Sequence, residues 1–167
     1  MEKPLRGNPA SLEWQLPMQN LAALLGPSQI IDLKGRTPKA AIQELVKALP
    51  GPGLALQKLM LNTVLAREAT MSTGIGSGLA VPHARLEKLS RIYLARGRSK
   101  AGIDFKSPDG RKANLVMLIV TPSAQVNAYL QLLASVLWTF SDDAVRARVL
   151  AAPVPREALT ALAQRKA

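Results

Sequence analysis

The sequence holds no cysteine. A disulfide framework, a thiol nucleophile and a cysteine-ligated zinc centre are therefore excluded. Histidine occurs once, at His83, so no site can be built from two or three imidazoles of one chain. Aromatic residues make up 4% of the chain, too few to interleave rings with cations for base stacking. No helix-turn-helix with a basic recognition helix is evident either, which argues further against nucleic acid as the partner. Long apolar runs are missing. The longest, Leu115 to Val120, falls far short of the roughly 20 residues that a membrane helix needs. The segment Met1 to Gln15 has no apolar stretch of the secretory kind, and the expected location is the cytoplasm. Acid is scarce beside base: 11 Asp plus Glu stand against 22 Lys plus Arg, a net charge of +11. Such a balance suits a polyanionic partner or substrate and says nothing about fold.

What is present is a chain of 167 residues with 48% apolar content, enough for one domain with a true core. Pro4, Gly7, Asn8 and Pro9 mark residues 1–15 as a loose arm ahead of a domain over 16–167. Gln29 to Leu33 reads as a first strand. Thr37 caps a helix that Pro38 starts and Ile42, Leu45, Val46 and Leu49 make amphipathic. Pro50-Gly51-Pro52-Gly53 ends it. A second helix runs from Leu54 to about Ala69, with Leu56, Leu59, Met60 and Val64 on one face. Gly74, Gly76 and Gly78 alternate and predict a tight loop. Leu79 to Val81, Arg91 to Ala95 and Asn114 to Thr121 read as strands, the last apolar enough to be central. A third helix spans Gln125 to Phe140, with Val126, Leu130, Leu133, Leu137 and Trp138 inward. Ser141 caps a fourth, and a short last helix follows Pro155. Alternating helices and strands define a single layered α/β domain. The basic residues of the middle third, Arg91, Arg96, Arg98, Lys100, Lys106, Arg111 and Lys112, read as solvated faces or as a docking surface for an acidic partner.

Chemistry concentrates between Arg67 and Arg85. The glycines are spaced G-x-G-x-G, which fits neither the dinucleotide nor the P-loop fingerprint. What remains is a glycine loop, the hydroxyls of Ser72 and Thr73, one imidazole at His83 and two flanking arginines. Backbone N–H groups and hydroxyls can cradle a phosphate, arginines can neutralise it, and an imidazole nitrogen can attack it. Ser72 and Thr73 serve either this purpose or local backbone capping. Glu68 reads as a structural partner for a nearby arginine or a loop amide.

Arg67-Glu68, followed by Ser72-Thr73-Gly74-Ile75-Gly76-Ser77-Gly78-Leu79-Ala80-Val81-Pro82-His83, closely resembles the signature of the enzyme IIA domains of the fructose, mannitol and nitrogen-regulatory class in the sugar phosphotransferase system. The likeness continues in Gly102-Ile103-Asp104-Phe105, Asp109-Gly110 and Thr121-Pro122, and runs from about Leu16 to Ala163. It implies a central mixed β-sheet flanked by helices. It implies that His83 is the phosphoacceptor, charged by a phosphohistidine carrier protein (HPr-like), that Arg67 stabilises the transferring group, and that Arg85 is a second candidate for that task. Neither metal nor organic cofactor is implied. A stand-alone chain of this size most resembles the nitrogen-regulatory branch, whose members act on regulated target proteins. Many members carry a second histidine before a leucine near the start of the helix after the apolar strand. Here that position is Tyr129, followed by Leu130, and Asn127 offers another donor nearby. A phenol can donate one hydrogen bond but cannot become a cation as imidazole does. This leaves a working phosphocarrier as the first reading, a relative that binds partner proteins without phosphotransfer as the second, and a nucleic-acid-binding module on the same fold as a third and less favoured one.

Overall fold

A computed structural model describes residues 20–164. The expected arm over 1–15 lies outside the described residues. Six strands form one mixed sheet: β1 (Ile30–Asp32), β2 (Gly74–Gly76), β3 (Leu79–Ala80), β4 (His83–Leu86), β5 (Tyr93–Ile103) and β6 (Ala113–Pro122). The order is β1-β5-β6-β3-β2, with β4 also on β6. β5 and β6 run antiparallel at the centre, while β1 lies parallel to β5 and β3 and β4 lie parallel to β6. Six helices cover the sheet: α1 (Leu21–Leu24), α2 (Pro38–Lys47), α3 (Leu54–Thr70), α4 (Val126–Phe140), α5 (Asp143–Ala151) and α6 (Pro155–Ala163). The α/β class, the mixed sheet and the flanking helices are as the sequence implied.

The side chains of β5 and β6 alternate between two cores, as strand geometry requires. Tyr93, Ala95, Val116, Leu118 and Val120 face α2 and α3. Leu94, Leu115, Met117 and Ile119 face α1, α4, α5 and α6. Thr37 accepts a hydrogen bond from the Ala40 N–H and caps α2, whose Ile42, Leu45 and Val46 are buried, as is Leu49 just past its end.

Several expectations are corrected. In α3, Met60 and Val64 are buried but Leu59 is exposed. In α4 the inward face is Leu132, Ser135, Val136, Thr139 and Phe140, whereas Val126, Leu130 and Leu137 are exposed. The helix is apolar nearly all round, so its period does not select a side, and two polar residues sit on the buried one. Ser135 meets that burial by donating to the Gln131 carbonyl within its own helix. Asp142, not Ser141, caps α5: its carboxylate accepts from the Ala144 and Val145 N–H groups at 2.9 and 3.2 Å. Strand β5 extends well past Ala95, to Ile103. Arg96 is no solvated residue, being 2% exposed. The glycine loop is a hairpin in which Gly76, Ser77 and Gly78 all take positive φ, and Asp109 pins it by accepting from the Ser77 N–H at 2.7 Å.

Candidate functional site

β3 and β4 are two pieces of one line of chain along the same side of β6. Leu79 and Ala80 pair with Leu115 and Val116, and His83 to Leu86 pair with Ile119 to Pro122. Val81-Pro82 interrupts the line because proline has no N–H to give the ladder. The Pro82 carbonyl still accepts from Ile119 N, so β4 resumes in register. The interruption frees the Val81 carbonyl, which lies 2.8 Å from His83 Nδ1. A carbonyl can only accept, so Nδ1 carries the proton and Nε2 of the neutral ring keeps its lone pair. The imidazole is half-buried. Burial lowers its pKa below 6.5, with Arg67 and Arg85 acting in the same direction and the Val81 carbonyl and Glu68 opposing.

Beside β4, residues of α3 and α4 help to line a cleft of ≈ 590 Å³. It is lined by Thr63 and Arg67 from α3, His83, Ala84 and Arg85 from β4, Ser123 after β6, and Tyr129 from α4. The His83 and Tyr129 rings stand 5.6 Å apart with planes tilted by 39°. The Arg85 guanidinium lies 5.7 Å from the centre of the same Tyr129 ring, within reach of a cation–π contact. Arg67 comes from the last turn of α3, where its Nη1 donates to the Met71 carbonyl at 3.1 Å. That bond uses one of five guanidinium N–H groups. The cleft thus sets one neutral nucleophilic nitrogen beside two cations and a phenol.

The structure brings together His83, Arg67, Arg85 and Tyr129. Asn127 is exposed and does not line the cleft. Ser72 and Thr73 do not line it either. Ser72 Oγ donates to the Phe105 carbonyl, and Thr73 is buried with its hydroxyl on Glu68. Glu68 also accepts from the Thr73 N–H at 3.2 Å, the loop-amide role expected of it. Thr63 and Ser123 are lining residues that the sequence reading missed. Thr63 could have been found, since it sits one turn before Arg67 on the same helix face. Ser123 could not, because only the pairing of β4 with β6 brings it to His83. Among the described residues no cluster of His, Asp and Glu could hold a metal, and no helix is long and apolar enough to cross a membrane.

The chain is similar to several known proteins. The fructose-specific EIIABC component of Bacillus subtilis is 32% identical over 123 residues, 73% of this chain. The match takes up only 19% of that relative's length. The nitrogen regulatory protein of Bradyrhizobium diazoefficiens is 30% identical over 129 residues, covering 77% of this chain and 84% of that protein. The crystal structure of nitrogen regulatory protein IIA-Ntr from Neisseria meningitidis superposes with a TM-score of 0.77, covering 86% of this chain and 99% of that one. At 24% identity it speaks for the fold alone. The family model described as "Phosphoenolpyruvate-dependent sugar phosphotransferase system, EIIA 2" matches residues 27–165. By that match and by its relatives, this chain belongs to the EIIA 2 family of the phosphoenolpyruvate-dependent sugar phosphotransferase system.

Proposed function

We propose that the protein is a cytoplasmic phosphocarrier that accepts a phosphoryl group on His83 from a phosphohistidine carrier protein and acts mainly as a regulator of target proteins. The observation that carries this reading is the Nδ1 contact with Val81. It commits the ring's proton to the carbonyl side and leaves Nε2 as the nucleophile, with no base needed to free it. In the step proposed, the Nε2 lone pair forms an N–P bond as the donor's N–P bond breaks. The donor imidazole keeps the released electron pair, and the His83 ring takes up positive charge. Arg67 and Arg85 offset the charge on the three equatorial phosphoryl oxygens. Exposed Val126 and Leu130 stand beside Tyr129 on α4 and offer apolar surface on which a carrier protein could seat. The regulatory part of the reading rests on the likeness to nitrogen regulatory proteins.

Incubation with phosphoenolpyruvate, enzyme I and the carrier protein tests it. One acid-labile, base-stable phosphoryl group is expected on the wild-type chain and none on His83→Ala. Equal labelling of the two would assign the site elsewhere. A second reading, partner binding without transfer, is favoured by one observation: a phenol and not a second imidazole stands 5.6 Å from His83. No label on a folded chain that still binds the carrier would select it.

A further inference from the structure

The loop after β1 and the middle of β5 wall a groove of ≈ 290 Å³. Four cations line it, Lys34, Arg36, Arg98 and Lys100, against one carboxylate, Asp32. Asp32 is spent on Arg98, through Nε–Oδ1 at 2.6 Å and Nη2–Oδ2 at 2.9 Å. Arg98 Nη1 goes to the Leu150 and Ala152 carbonyls, so this pair adds no net charge to the groove. Lys34, Arg36 and Lys100 are exposed. Among the described residues their side chains make no hydrogen bond and no ion pair. Three full charges with free N–H donors therefore line one groove.

Like charges gathered in one place repel and lower stability. Little on this chain offsets them. Glu44 of α2 reaches the same loop, but its oxygens accept from the backbone, from the Lys34 N–H at 3.0 Å and the Gly35 N–H at 2.6 Å. Even with Glu44 counted, cations outnumber carboxylates. Helix α2 follows directly, and its first turn holds Lys39 and no acidic residue, although the positive end of a helix favours acid. The chain outside residues 20–164 does not supply the counter-charge either. It holds two acids, Glu2 and Glu13, against four bases, Lys3, Arg6, Arg165 and Lys166.

We infer that this groove docks an extended acidic segment of a partner protein, whose carboxylates pair with Lys34, Arg36 and Lys100. Charges spread over two walls suit carboxylates spaced along a chain and not one small ion. The Lys34 and Gly35 N–H groups, which would otherwise cradle such an ion, already go to Glu44. No aromatic residue lines the groove for bases to stack on, so nucleic acid fits it less well. Half-buried Leu33 and exposed Ala101 offer apolar surface to the stems of acidic side chains. The groove lies at the β1 edge of the sheet, with β5 and β6 between it and β4. A segment bound there leaves the His83 cleft open, and docking does not depend on phosphotransfer at that cleft.

The test titrates a fluorescent, end-blocked hexaglutamate peptide into the full chain at low ionic strength. Anisotropy should show saturable binding that weakens as salt rises through about 0.15 M. By NMR the amide resonances of Arg36, Lys100 and Ala101 should move. Lys34→Gln, Arg36→Gln and Lys100→Gln together should weaken binding by roughly tenfold, the worth of three exposed ion pairs. Lys47→Gln, Lys58→Gln and Lys88→Gln together remove the same charge from exposed positions outside the groove, and should weaken binding by less than about twofold. All six changes are at exposed side chains, and an unchanged melting temperature verifies that both triple variants are folded. A single-stranded oligonucleotide with six phosphates should bind more weakly than the peptide. No saturable binding of the peptide, equal losses in the two triple variants, or tighter binding of the oligonucleotide would overturn the inference.

Discussion

The Val81 carbonyl sits 2.8 Å from His83 Nδ1 and so decides which ring nitrogen can act. The same half-buried setting lowers the pKa of the ring, chiefly through desolvation. The unfolded chain then binds more protons than the folded one in the window between the lowered value and 6.5. The stability linked to this group is complete above 6.5 and declines as pH falls through the lowered value. Titration of the imidazole nitrogens by NMR should give a midpoint below 6.5, with Nδ1 protonated in the neutral ring. Phosphoryl acceptance should hold its plateau down to that midpoint. A midpoint above 6.5, or an Nε2-protonated neutral ring, would contradict the assignment.

Arg67 reaches the cleft from the end of α3 and has guanidinium N–H groups to spare beyond its bond to Met71. A charge-assisted hydrogen bond to the transferring group is worth on the order of 1.5–3 kcal/mol. Arg67→Met should therefore slow labelling of His83 by roughly tenfold to a hundredfold. Its effect on thermal stability should be under about 1 kcal/mol, because the lost contact with the Met71 carbonyl is exposed. Arg67→Lys keeps the charge but not the fork, and partial recovery of rate is expected. Quench-flow or timed labelling separates the three proteins.

Tyr129 is half-buried, with its ring centre 5.6 Å from that of His83 and 5.7 Å from the Arg85 guanidinium. Tyr129→His places a second imidazole at the cleft, where it can carry a proton and pair with a phosphoryl oxygen. If this chain is a working carrier, that change should quicken transfer by about the worth of one charge-assisted contact, roughly tenfold. Tyr129→Phe should show how much the hydroxyl matters, since it keeps the ring and removes the donor. Equal rates for all three proteins would mean that Tyr129 only packs beside the site.

How far the sequence disclosed all this depended on whether neighbours in space were neighbours in the chain. His83, Arg67 and the glycine hairpin lie within one short segment with a dense pattern, and they were legible. The cap of α2 was legible too, because Thr37-Pro38 acts within one turn. Arg96 was not. Its burial depends on β5 having an inward face under α5 and α6, and the run Arg96-Gly97-Arg98-Ser99-Lys100 hides that alternation behind charge. The inward side of α4 was misassigned for the opposite reason: eleven of its fifteen residues are apolar, and of the four polar ones Ser135 and Thr139 face the core, so polarity does not mark the outside. Ser72 and Thr73 were candidates by proximity alone, and their hydroxyls are taken up by Phe105, distant in sequence, and by Glu68, one helical turn back.

Glu68 holds the chain as it leaves α3, accepting from both the N–H and the hydroxyl of Thr73. Removing it leaves the buried Thr73 groups short of a partner, at a cost of about 1–3 kcal/mol. Glu68→Ala should lower the melting temperature by several degrees. At a temperature where the variant is folded, His83 should still accept label, because Glu68 does not line the cleft. Complete loss of labelling in a folded Glu68→Ala would give the carboxylate a direct part in transfer.

Two glycines with opposite surroundings test the packing around the hairpin and the helix that precedes it. A Cβ on Gly74 would stand 2.4 Å from Ser107 Oγ and 2.7 Å from the Phe105 carbonyl. The second of these is backbone, so relief requires the strand or the loop to move. Gly74→Ala should cost about 1–3 kcal/mol, as overpacking does elsewhere. Gly53 is the N-cap of α3, has φ of −68°, supplies no side-chain cap and has nothing within 4 Å of its missing Cβ. Gly53→Asp should therefore add a cap bond and a favourable charge at the helix start, a gain of about 0.5 kcal/mol. Calorimetry of the two variants should move the melting temperature in opposite directions, downward by several degrees for Gly74→Ala and upward by about 1–2 °C for Gly53→Asp. A neutral Gly74→Ala would show that Ser107 and the Phe105 segment yield freely. The hairpin would then owe its position to the Asp109 bond with Ser77 and not to the close approach at Gly74.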